Sequence, residues 1–179
     1  LQITWRCFQL NPDMPAEGME RKTYLNNKFG GETRAQAIYG SIQQAGAEVG
    51  IDFQFDAIKT TPNTMKAHRL LRWAQQELPS KAESLMDNMF KAYFLLGQDL
   101  GDDGALSHIA ASSGYDPAAA LTVITSDQLK DDLAQEERTA RAMGLTGVPF
   151  YVVNQRSVVP GAQDAKAWAS VFDAEREQS

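Results

Sequence analysis

Few groups in this 179-residue chain are suited to covalent chemistry, and they are scattered. Cys7 is the only sulfur nucleophile. A thiol attacks as its thiolate and needs electropositive surroundings to ionise near neutral pH. Arg6 is adjacent, but consecutive side chains of an extended segment point to opposite faces. Cys7 therefore has two readings. It is a reactive thiol that forms a mixed disulfide or holds glutathione, or it is the small buried hydrophobe that free cysteine commonly becomes, and the second is preferred. His68 and His108 are too isolated to suggest zinc, and no metal site is expected. His68 could face a cleft and touch substrate or a thiolate; a boundary histidine with a satisfied hydrogen bond is the plainer reading. Asn11 and Asp13 could border a site, although capping a turn is their ordinary role. Met86, Met89, Phe90, Tyr93 and Phe94 recur at helical spacing, as core or as an apolar groove, with core preferred. The pairs Asp102-Asp103 and Asp131-Asp132 read as solvated helix charges. Last comes Gly147-Val148-Pro149, a proline placed directly before an apolar run. Taken alone, Pro149 merely opens a strand.

The elements that must position these residues follow from periodicity. Gln2 to Phe8 alternates and is rich in β-branched and aromatic residues, which predicts a strand ending before Asn11-Pro12-Asp13. A short helix is expected over Arg21 to Lys28. Thr33 to Val49 carries Ala35, Ile38, Ile42, Ala45 and Val49 at helical spacing, which predicts a helix burying that stripe. Ile51 to Phe55 alternates as an extended piece. A helix capped by Asn63 or Thr64 runs to Glu77, and Ser80 with Glu83 forms a capping box for the next. Asp102 or Asp103 opens another helix, Asp116-Pro117 opens a further one, and Asp127 to Met143 turns Leu129, Leu133, Ala140 and Met143 inward. Phe150–Val153 and Ser157–Pro160 form a hairpin. Asp164 to Glu175 closes the chain as a helix burying Ala165, Trp168, Val171 and Phe172.

Composition narrows the function classes. Hydrophobic residues make up 43% and charged residues 22%, ordinary for a globular domain. The net charge of -6 argues against nucleic acid and against anionic lipid, both of which need clustered Lys and Arg. No apolar run is long enough to span a membrane. One cysteine excludes an internal disulfide framework. Without a visible leader or structural disulfides, the expectation leans to the cytoplasm.

The order of strand, helical block, hairpin and helix, with "TGVPF" before the hairpin, resembles the DsbA-type thioredoxin fold. "TWRCFQLNPDMPAEGMERKTYLNNKFG", "TPNTMKAHRLLRWA", "MFKAYFLLGQDL" and "GLTGVPFYVV...VVPGAQ" are similar to the polyketide-biosynthesis dithiol-disulfide isomerase-like (FrnE-like) subfamily. The resemblance runs across nearly the whole chain. It implies an α/β, thioredoxin-like fold, with residues 1–30 and 145–179 forming an incomplete thioredoxin-like domain and residues 31–144 a large helical insertion. It also implies that Pro149 is cis and faces the redox site, with the main chain of Val148 turned toward substrate as an edge for an added strand. Gly147, Val148, Pro149, His68 and Asn11 are the candidate substrate-binding residues.

Such proteins open with a strand and a helix bearing Cys-x-x-Cys. This sequence opens on what resembles the second strand, so neither redox cysteine is among its residues, and Cys7 matches neither. The resemblance implies a thiol-disulfide oxidoreductase or isomerase, with the chain alone inactive as a dithiol enzyme. Two alternatives stay open: a glutathione-dependent isomerase of the 2-hydroxychromene-2-carboxylate type, and a non-catalytic thioredoxin-fold binding module. No cofactor is expected unless glutathione serves. The expected partners are a disulfide-containing protein or a small thiol, and a homodimer is kept open.

Overall fold

The computed structural model describes residues 2–177. Its centre is a helical bundle. α3 (Met65–Glu77) and α4 (Pro79–Phe94) pack on each other, and α5 (Asp103–Ser112) and α6 (Pro117–Thr125) pack against them. The apolar periodicity of these segments meets here: Leu70, Ala74, Leu85, Leu106, Ala110 and Ile124 are fully enclosed. Burying each of the leucines and the isoleucine stabilises by about 1.5–3 kcal/mol. Tyr115 locks it from within, its hydroxyl donating to the carbonyls of Ala74 and Leu78.

The caps fix where each helix begins. Asp102 and Asp116 accept from the main-chain N–H of Ala105 and Ala119, as their positions predict. Asn63, rather than Thr64, accepts at the start of α3, from Met65. The capping box expected of Ser80 and Glu83 does not form: α4 already begins at Pro79, whose missing N–H costs nothing in a first turn. Arg69 is buried in α3 and donates to the carbonyls of Ile124 and Ser126, neutralising the C-terminal end of α6.

Around the bundle the structure departs from the periodicity. β1 (Met19–Glu20) and β2 (Thr60–Thr61) form a two-residue antiparallel pair that alternation did not predict. Gly18 turns into it with φ 79°, and a Cβ there would meet the Thr61 carbonyl oxygen at 2.7 Å. Glu20 caps α1 (Arg21–Phe29). α2 (Glu32–Glu48) is present, but of its expected inward stripe only Ala35 is buried. The extended piece expected at Ile51 to Phe55 gives way to a 3-10 turn at Phe55–Ala57, because Phe53 and Phe55 tuck against Phe94 and Tyr39 instead of joining a sheet.

β3 (Phe150–Val153) and β4 (Ser157–Pro160) pair antiparallel, Phe150 opposite Pro160 and Val153 opposite Ser157. Asn154 and Gln155 both take positive φ, the geometry that lets a tight turn follow the strands' twist. α8 (Ala165–Glu177) covers one face: Trp168 meets Tyr151 edge-on at 4.7 Å. Ala165, expected inside, is exposed, and Trp168, Val171 and Phe172 are only half-buried. The residue of α8 that is buried is Glu175.

Candidate functional site

The residues from Trp5 to Gln9 form no strand among the described residues, contrary to the predicted strand. Helix side chains hold them instead. The Gln75 amide accepts from the Trp5 N–H at 2.8 Å and donates to its carbonyl at 3.2 Å, as a neighbouring strand would. α7 (Lys130–Ala142) supplies the rest. Glu136 accepts from the Cys7 N–H at 3.0 Å, Glu137 from the Gln9 N–H at 3.2 Å, and Arg141 donates to the Gln9 carbonyl at 2.5 Å. Charged partners strengthen such bonds. The carboxylates are themselves paired, Glu136 with Arg72 and Arg6, and Glu137 with Arg141. Burial pushes the Glu136 carboxyl up, yet the hydrogen bonds from Arg72 and Cys7 and the charges of Arg72 and Arg6 outweigh it and hold it below its usual range.

This surrounding decides between the two readings of Cys7. The thiol is buried, and its pKa is pushed up to about 12, first by burial and then by the negative charges of Glu137 and Glu136, with only Arg72 opposing. A thiolate is not available there near neutral pH. His68, half-buried on α3, lies in the field of the same two carboxylates. Burial pushes its pKa down and outweighs the two carboxylates, which push it up. Asn11 accepts from the Tyr24 hydroxyl at 3.1 Å, and its carbonyl closes a turn to Met14. Met143, expected inside, is 69% exposed beyond the end of α7.

Gly147, Val148 and Pro149 form the entry to β3, and the Val148–Pro149 peptide bond is cis. Val148 is 51% exposed, and among the described residues its main-chain N–H and C=O make no hydrogen bond. Pro149 instead accepts from the Gly161 N–H at 2.8 Å, which ties the entry to the end of the hairpin. β3 pairs only with β4 among the described residues, so its other edge is open. On the hairpin face turned away from α8, Val152 and Val158 sit opposite each other and are exposed. The structure thus brings Cys7 and His68 under the same pair of carboxylates. No described contact joins them, or Asn11, to Gly147–Pro149.

A shallow cleft of about 230 Å³, lined by Trp73, Leu78 and Tyr115 among others, contains none of these residues. Among the described residues, no cluster of His, Cys, Asp and Glu could hold a metal, and no helix is long and apolar enough to cross a membrane. Sequence reasoning missed the Glu136–Glu137–Arg72–Arg141 clasp. Its signal was Glu137 standing four residues after Leu133 on the buried face of α7, where a carboxylate needs a partner.

Residues 1–173 match the model of the DSBA-like thioredoxin domain. The chain is similar to a probable DsbA oxidoreductase from Streptomyces coelicolor, with 26% identity and a TM-score of 0.84 over 97% of this chain and 75% of that one. A putative protein disulfide isomerase from Nitrosomonas europaea shares the fold, at 17% identity and a TM-score of 0.71 over 82% of this chain and 75% of that one. The uncharacterized protein YwbO of Bacillus subtilis (strain 168) is 21% identical across 99% of this chain and 84% of its own length.

Proposed function

Since the chain belongs to the DSBA-like thioredoxin domain family, we propose that it serves thiol–disulfide exchange as the part that docks the disulfide-bearing substrate. The relatives support the reaction class, thiol–disulfide oxidoreduction or isomerisation. The observation that carries the docking role is the exposed Val148, with its bare main-chain groups at the head of an open β3 edge. An extended polypeptide can add there as a strand, the main chain giving affinity and the alternate side chains specificity.

In the exchange itself a thiolate attacks one sulfur of the substrate disulfide, and the other sulfur leaves as thiolate. A second thiol then resolves the mixed disulfide. Cys7 suits neither role, being buried and protonated. The attacking thiol in this reading comes from outside these 179 residues: a Cys-x-x-Cys segment presented to the Pro149 entry, or glutathione, whose peptide Val148 would hold. The glutathione case leads to isomerisation of a small molecule rather than protein disulfide exchange.

Insulin reduction with dithiothreitol tests the reading. The 179-residue chain alone gives no turnover above background, and supplying the Cys-x-x-Cys segment gives turnover that Val148→Asp, a charge at the docking edge, reduces at least tenfold. Turnover by the chain alone that vanishes in Cys7→Ser would refute it. Glutathione binding without insulin turnover would select the isomerase.

A further inference from the structure

In α2 sequence and packing disagree, and the disagreement is confined to one flank. It packs on its own chain through Ala35, through Tyr39 against Phe29 and Phe55, and through Gly46, where a Cβ would meet the Phe53 ring at 2.6 Å. The Gln43 amide donates to the Phe53 carbonyl on the same side. Next to this face, at spacings of three and four residues, run Ile38, Ile42, Ala45 and Val49, all exposed, with Ile42 at 40% and Val49 at 73%. Such a stripe on a water-soluble helix marks a contact surface. On its solvent side lie Arg34 and Glu48, about four turns apart on one flank. Neither takes part in an ion pair among the described residues.

That charge pattern identifies the occupant. An isologous interface must be complementary to itself, so each residue meets the partner's counterpart across a two-fold axis. When two copies of α2 pack antiparallel about an axis beside Ser41 and Ile42, the same flank of each helix faces its mate. Arg34 then falls opposite Glu48 of the second copy, and Glu48 opposite its Arg34. To within one residue of that register the larger Ile38 falls opposite the smaller Ala45, which lets the stripes interdigitate. A partner with no such symmetry would not need opposite charges at equal distances from one centre. We propose that the α2 flank is a self-association surface, on which the chain forms an antiparallel α2–α2 homodimer. The helix is about 25 Å long, so alone it supplies only part of the roughly 800 Å² per partner that stable dimers bury. The dimer is therefore concentration-dependent.

Sedimentation equilibrium of the 179-residue chain between micromolar and a few hundred micromolar protein tests this. The expected result is a monomer–dimer equilibrium that Ile42→Glu shifts at least tenfold toward monomer. Arg34→Glu alone and Glu48→Arg alone each weaken it several-fold, and the double charge swap restores it. Both charged positions are exposed, so the swap reads the interface even if Ile42→Glu unfolds, which circular dichroism would reveal. A chain that stays monomeric throughout overturns the proposal, and protection of α2 amides in that monomer would assign the stripe to a segment of the same polypeptide. A dimer indifferent to both charges, or one the swap fails to restore, overturns it equally.

Discussion

The α3–α6 bundle and the β3–β4–α8 unit are built by opposite means. The bundle excludes water from a continuous apolar cluster, with Leu70, Leu85, Leu106 and Ile124 at 0% exposure. The hairpin unit has one aromatic contact layer, Tyr151 on Trp168 and Trp168 on Phe172, and a single buried carboxylate. Glu175 gathers Asn154, Arg156 and Ser157, so one side chain holds both ends of the hairpin turn to the helix. A two-stranded hairpin is marginal in water. Apolar packing is therefore concentrated away from the Val148–Pro149 entry, and the open edge belongs to the part with less of it.

The largest expected effect lies in the bundle. Leu85→Ala leaves a cavity in a fully enclosed site and should cost about 2–5 kcal/mol in urea unfolding. An unchanged midpoint would break the contrast between the two regions.

Next comes the tether of the amino-terminal segment. Gln75→Ala strips both main-chain groups of Trp5 of their partner and should cost about 1–3 kcal/mol, since the N–H is left partly buried and unpaired. Hydrogen exchange should show the loss as faster opening at residues 5–9 while the bundle stays protected.

The hairpin unit should respond to acid. The Glu175 carboxyl is held below its usual range by hydrogen bonds from Ser157 and Asn154, then by Arg156, against the opposing effect of burial. A depressed native value means the unfolded state binds the proton first. The stability that Glu175 contributes is fully present above the ordinary glutamate pKa of about 4.3, and is lost as pH falls below it through the native value. Trp168 fluorescence, read with Trp5 and Trp73 replaced by Phe, should show the unit loosening below pH 4. Glu175→Gln should abolish that acid transition and leave the unit loosened at pH 7. The smallest effect belongs to Val152→Thr on the exposed hairpin face, expected within about 0.5 kcal/mol.

The same contrast explains what could be read from the sequence. Helices of the bundle were legible because each displays its own buried stripe, and Asp102 and Asp116 announce their helix starts locally. The hairpin was legible from two short apolar runs around a tight connection. Long-range polar partnerships were not. Nothing near Trp5 tells that Gln75 stands in for a strand, and "QEERTAR" reads as solvated helix although Glu136 and Glu137 clasp Cys7 and Gln9. The α2 stripe was read correctly as apolar but assigned to the core, because periodicity reports that a face wants cover and not what covers it. Of the candidate site, only the resemblance pointed to the Val148–Pro149 entry. The burial of Cys7 was the preferred reading, and the carboxylates that keep its thiol protonated were not foreseen.

The central claim is that substrate docks on the main chain at Val148 and that Cys7 takes no part. Amide-resolved NMR titration with an extended apolar peptide carrying a disulfide tests it most directly. The account predicts shifts concentrated at Gly147, Val148 and Phe150 to Val153, saturable and unchanged in Cys7→Ser. Shifts centred on residues 5–9 and α7 that disappear in Cys7→Ser would contradict it.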